Sequence, residues 1–159
     1  MSEELSKRLG FAKVLRSGRD IEMKPAAQNF TRKTIATGSN EGLLIKSLKD
    51  RNTLGILMEG MPSNKLIAML SEHSKTLFIN VNSVIYADQK QQQKLIYLYR
   101  KTMHYCKKFK VDICPISLAG SDEQLLSAKQ LMLLAKFLGF DGDAKKALGT
   151  LGSFYGKKD

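Results

Sequence analysis

Short β-rich runs alternate with helical-period runs along most of this chain, and the connections are too short for much besides a succession of parallel βα units. Lys33 to Thr37 opens the series, with Thr34, Ile35 and Thr37 as β-favouring residues. Gly38, Ser39 and Asn40 punctuate the chain before Leu43, Leu44, Ile45 and Leu48 recur at helical spacing, so strand, turn and capped helix follow one another. Leu54 to Met58 predicts the next strand. Gly60 and Pro62 end it, and Ser63 caps a helix carrying Leu66, Ile67, Met69 and Leu70. Thr76 to Val81 predicts a third strand.

Asp88 then caps the longest helix, predicted over about Gln89 to Phe109. At 100° per residue Leu95, Leu98, Tyr99, Thr102, Cys106 and Phe109 share one face, and Lys90, Arg100, Lys101, His104, Lys107 and Lys108 lie on the other. No acidic residue stands between Gln89 and Lys110 to offset those bases, whereas solvated helix backs usually mix signs. Tyr97 projects from the basic face, either to stack on an unpaired base or to lie against a neighbouring loop.

Val111 to Ser117 predicts the last strand, followed by a Ser/Gly-rich loop and a helix from Ser127 to Gly139. Leu131, Leu134, Ala135 and Leu138 form its apolar stripe, which Met132 and Phe137 widen into that of a well-buried helix. Gly139 stands at its C-terminal cap. Asp143 opens a further short helix with Ala144, Ala147 and Leu148, and Lys157 and Lys158 form a basic tail. Upstream the pattern is weaker. Ser2 to Leu9 predicts a short helix and Phe11 to Leu15 a strand, while residues 16–33 have no clean period and read as a loop with one short strand or turn of helix.

A chain of 159 residues, 43% apolar and 26% charged, fits one domain with its own core. Its net charge of +11 favours a polyanionic partner, most often nucleic acid. Nothing approaches a run of about 18 apolar residues, and the acidic start at Glu3 and Glu4 lacks an apolar signal core, so a cytoplasmic protein without a membrane partner is expected. Cys106 and Cys114 lack metal-type spacing and sit in apolar patterns, which predicts small buried thiols.

The histidines, His73 and His104, belong to no HxH or HExxH pattern, and no GxGxxG, GxxxxGK[ST] or GxSxG motif occurs. His73 stands near a helix end, as a cap or solvated. The carboxylate pairs Glu3/Glu4 and Asp122/Glu123 stand at predicted helix starts, where the macrodipole accounts for them. Neither a metal site nor a cofactor is expected.

The order of these elements, with the segments Pro62 to Ile85 and Val111 to Phe140, resembles the archaeal and eukaryotic p30-type protein subunit of ribonuclease P, also called protein component 3. The family pattern runs from a strand ending in small polar residues, through an Arg-x-Pro-Arg-Asp-Leu-like helix entry and a Leu-Gly-Met close, to an Ala-Leu-Ser helix. Ser117 to Ala119, Leu126 to Leu131, Leu138 to Phe140 and Ala147 to Gly149 stand in those places. The likeness covers about Thr34 to the end and, more faintly, Ser2 to Leu15. It implies a TIM-like α/β barrel, non-catalytic by itself, that works with the RNase P RNA and other protein subunits on tRNA precursors. A full barrel takes ~250 residues, and rarely fewer than about 200. A single shortened or incomplete barrel domain is therefore expected.

Carried over residue by residue, the resemblance implies RNA contacts at Lys46, on the helix after the Asn-containing turn, and at Lys129, which holds the place of the second Arg of the helix entry. Leu126, Ala128 and Gln130 replace the first Arg, the Pro and the Asp, removing a bidentate phosphate binder and a rigid helix start. Lys65 and Lys75 are candidates near the shortened loop between Met58 and Asn64, and Arg100, Lys101, Lys107 and Lys108 complete the set on the long helix. Two other readings remain open. One is a small α/β enzyme holding a phosphorylated or nucleotide ligand near Ser117 and Ser121; the other is a basic structural protein of another ribonucleoprotein.

Overall fold

The computed structural model describes residues 22–26, 30–58, 60–118, 124 and 126–141. Its elements follow the order β1 (Glu22–Pro25), β2 (Thr34–Gly38), α1 (Glu41–Leu48), β3 (Thr53–Met58), α2 (Asn64–Glu72), β4 (Thr76–Asn80), α3 (Asn82–Tyr86), α4 (Gln89–Phe109), β5 (Ile113–Ile116) and α5 (Ala128–Phe137). The five strands form one sheet in the spatial order β1-β2-β3-β4-β5, and every pair is parallel. The expected α/β architecture of parallel βα units is thus present. Sequential order is that of neighbouring barrel staves, whereas a doubly wound sheet reverses at a switch point. Among the described residues the ladder does not return from β5 to β1.

Because the strands follow in order with crossovers of one hand, their helices must gather on one face of the sheet. The buried residues bear this out. Ala36, Ile56, Leu77 and Ile79 of the sheet pack with Leu44 and Leu48 of α1, Leu66, Ile67 and Leu70 of α2, Met103 and Cys106 of α4, and Leu131 and Ala135 of α5. A smaller apolar set, Ile35, Leu54, Phe78, Cys114 and Ile116, occupies the opposite face. Gly55 sits between Ile35 and Thr76 in the ladder. A Cβ there would come within 1.9 Å of the Thr76 carbonyl oxygen and 2.8 Å of Phe78 Cε2, so the ring requires a glycine beneath it.

Local chemistry sets the helix ends. Asn40, Ser63, Asp88 and Ser127 each accept a hydrogen bond from a first-turn N–H of the following helix, and Gln130 answers Ser127 in a capping box. α4 closes through Lys110 at φ 56°, and Gly139 takes φ 100° just past α5. Phe30, on the approach to β2, is latched to the loop after α1: its N–H donates to Asp50 Oδ2 at 3.1 Å and its carbonyl accepts from Asn52 Nδ2 at 2.6 Å.

Each edge strand of the described sheet carries a proline. Asp112 O and Ile116 O accept from Leu77 N and Val81 N, so alternate residues of β5 face β4 and Pro115 faces outward. Ala26 N donates to Thr37 O, which by the same alternation turns Pro25 outward from β1. An outward proline costs the ladder nothing and removes a donor from the free edge, which blunts it against strand addition.

Within residues 16–33 the structure forms the short parallel strand β1, one of the two alternatives expected for that stretch. Several expectations change. A one-turn helix, α3, follows β4 unannounced. Leu98 is only half-buried, and Met103, 4% exposed, takes the inward place on α4. Phe137 is 55% exposed and Leu133 59%, so α5 is buried along one stripe and not widely. β5 is limited to Ile113–Ile116. The predicted Ser2 to Leu9 helix, the Phe11 to Leu15 strand, the Glu3/Glu4 and Asp122/Glu123 pairs, Ser121, the helix from Asp143 and the Lys157–Lys158 tail lie outside the described residues.

Candidate nucleic-acid interface

Among the described residues, α4 is held from its inner side and one flank. Thr102, Met103 and Cys106 are buried beneath it, the Tyr99 hydroxyl lies 2.7 Å from Ser83 Oγ and donates to Asn80 O at 3.1 Å, and Gln92 Nε2 donates to Val84 O at 2.9 Å. Burial pushes the Tyr99 hydroxyl pKa above its ordinary value, so the phenol stays a neutral donor. These contacts fix the rotation of the helix about its axis. They leave its opposite face to solvent.

On that face Lys90, Lys94, Tyr97, Lys101, His104 and Lys108 recur at intervals of three and four, all exposed, within a sector of about 80°. The stripe is about 27 Å long at the helical rise. Lys90, Lys94 and Lys108 have no ion-pair partner among the described residues. Lys101 Nζ lies 5.9 Å from the centre of the Tyr97 ring. With no carboxylate on the helix, the positive potentials of these side chains add along one line.

The remaining candidate cations do not join this stripe. Arg100 and Lys107 lie on its flank and serve the fold: Arg100 Nη2 donates to Phe137 O at 3.0 Å, and Lys107 pairs with Asp141. The hydrogen bond and charge of Lys107 hold the Asp141 carboxyl below its ordinary range. Lys75 is turned into the protein at the N-terminal end of β4, where Nζ donates to Thr53 O at 2.5 Å and Asp50 O at 3.4 Å; desolvation and the nearby charge of Lys33 lower its pKa. Lys65 is exposed in the first turn of α2, at the other end of that helix from Lys75, and so the two do not form one patch. Lys46 is exposed in the last turn of α1 and Lys129 in the first turn of α5, at opposite ends of the sheet. Lys94 is the cation on the stripe that the sequence reading passed over, although the same period places it there.

No protein-family model and no curated protein matches the chain.

The loops at the strand C-terminal ends are occupied with one another. Ser117 Oγ donates to Asn82 Oδ1 at 3.1 Å, Asn82 Nδ2 donates to the carbonyls of Leu118 and Gln124 at 3.0 Å, and Asn80 Oδ1 accepts from Asn82 N and Leu118 N at 3.2 Å. Farther along, the Glu41 carboxylate accepts from Ser63 N at 2.6 Å and Ser63 Oγ at 2.5 Å. Ser117 is thereby a loop-positioning residue. Among the described residues no group of His, Cys, Asp and Glu could hold a metal ion, and no helix is long and apolar enough to cross a membrane. Cys106 and Cys114 are buried, outside any disulfide, and burial pushes each thiol up to about 12.

Proposed function

We propose that this chain is an RNA-binding accessory subunit of ribonuclease P, contacting the sugar–phosphate backbone through the exposed stripe of α4 and supporting RNA-catalysed removal of 5′ leaders from tRNA precursors. The observation that carries the RNA-binding part is the stripe itself: Lys90, Lys94, Lys101 and Lys108 in line on a helix without a carboxylate. Phosphate contacts of this kind position RNA and do not read its sequence. The assignment to ribonuclease P in particular is supported by the order of the elements and by the Val111 to Phe140 segment, and its partners are the RNase P RNA, the bound precursor tRNA and the other protein subunits. Hydrolysis belongs to the RNA in this reading.

Reconstitution tests it. Adding the protein to the RNase P RNA and the remaining subunits should restore precursor cleavage at low magnesium. Cleavage that is unchanged by the protein, with salt-sensitive RNA binding retained, would move the chain to another ribonucleoprotein.

A further inference from the structure

The basic ridge of α4 carries two aromatic rings that the core does not use. Tyr97 lies on the stripe, 63% exposed, with Lys101 Nζ 5.9 Å from its centre. Phe137 comes from the end of α5, 55% exposed, with the Arg100 guanidinium carbon 5.2 Å from its centre. Positions 97 and 100 are neighbours on the helix surface, about 5–6 Å apart at Cβ. Arg100 therefore brings the Phe137 ring to the flank of the ridge that bears Tyr97. Each ring has a cation against it and, at these exposures, much of its surface open to water.

We infer that this surface takes unpaired RNA in preference to duplex, with bases of a single strand stacking on Tyr97 and Phe137 while the phosphates follow Lys94, Lys101 and Lys108. The inference rests on the RNA-binding reading and adds which form of RNA is bound. A duplex hides the faces of its bases and offers the ridge phosphates alone, so the aromatic rings would gain nothing from it. A single strand offers both groups at once. Base–aromatic stacking is indifferent to sequence because every base has a π face.

The test compares a short unstructured RNA strand with the duplex formed by that strand and its complement, on the whole protein at one moderate salt concentration. Tyr97→Leu and Phe137→Leu should each weaken binding of the strand about ten-fold and leave duplex binding unchanged. Both side chains are exposed, so neither change empties the core. A second readout uses the absence of tryptophan from the chain: in Tyr97→Trp the new fluorophore should be quenched by the strand and not by the duplex. Unchanged strand affinity in both leucine variants, with unquenched fluorescence, overturns the stacking and leaves the electrostatic reading standing. Failure of the wild-type protein to bind either RNA overturns both.

Discussion

The guanidinium of Arg100 lies 5.2 Å from the centre of the Phe137 ring and donates to the carbonyl oxygen of that same residue. One side chain on α4 thus covers the final turn of α5 and satisfies a carbonyl that has no partner within its own helix. Arg100→Ala should lower stability by about 1 kcal/mol, because the pair is exposed and its cation–π and hydrogen-bond contributions are each small. Arg100→Lys should recover little, since an ammonium cannot lie flat on the ring while donating to the carbonyl. Urea denaturation with the unfolding slope held constant measures both.

Replacing Lys90, Lys94, Lys101 and Lys108 together by Ala should weaken RNA binding and reduce the slope of log affinity against log salt by about 3 for a single strand. Stability should stay within about 0.5 kcal/mol, as these are exposed positions with no ion-pair partner among the described residues. Lys75→Ala should behave oppositely, costing about 1 kcal/mol through the Thr53 and Asp50 carbonyls and leaving the salt slope unchanged. A full slope in the quadruple variant would return the stripe to a merely solvated helix back.

Asp50 provides a pH signature. Hydrogen bonds from the Asn52 and Phe30 N–H groups, with Lys75 and Arg51 nearby, lower its pKa below the ordinary 3.8 against an opposing desolvation. A carboxylate with a depressed native pKa contributes stability that is present above the unfolded value and lost as pH falls through the native one. Asp50→Asn should therefore cost about 1 kcal/mol at neutral pH, discounted for partial exposure. The gap between variant and wild type should close below pH 3.8. Denaturation midpoints across an acid series give the comparison.

Gly55→Ala should be among the most damaging single changes. Backbone oxygen at 1.9 Å from the added Cβ leaves no rotamer as a remedy, so β3 and β4 would have to separate or Phe78 leave its place. A loss above about 3 kcal/mol, or failure to fold, is expected. Circular dichroism and thermal melting decide it.

Thr102→Val should do the reverse. The Thr102 hydroxyl is buried on α4 and has no hydrogen-bond partner among the described residues. Exchanging it for a methyl group of the same shape should raise stability by about 1 kcal/mol. An unchanged or lower melting temperature would mean that the hydroxyl is satisfied after all.

The sequence was most informative where a polar cap residue preceded an apolar period. Ser63 and Asp88 each marked a helix start to the residue, because a cap is a local hydrogen bond that needs no knowledge of the rest of the fold, whereas Gly38, Ser39 and Asn40 left the cap of α1 open among three residues and Ser127 stands one place before the helix it was expected to begin. Phe137 misled for the converse reason: its place beside an apolar stripe says nothing of whether a neighbour covers it, and with Arg100 against its ring it is still 55% exposed. β1 could be expected only as one short strand or helical turn somewhere in residues 16–33, because its four residues are made a strand by pairing with β2, a long-range contact. Among the cations, periodicity separated the outer face of α4 from its inner face. It did not separate Lys101 and Lys108 from Arg100 and Lys107, since the ion pair with Asp141 and the carbonyl of Phe137 come from another element.

Cys106 and Cys114 lie on opposite sides of the sheet, the first in the core beneath the helices and the second among Ile35, Phe78 and Ile116. With both thiols pushed up to about 12 and almost wholly covered, neither reacts with an alkylating reagent at neutral pH unless its own layer opens. The molecule thus carries two native stopwatches. Labelling rates at Cys106 and Cys114, separated by mass spectrometry of the peptides, would time the opening of each layer independently, with no residue altered.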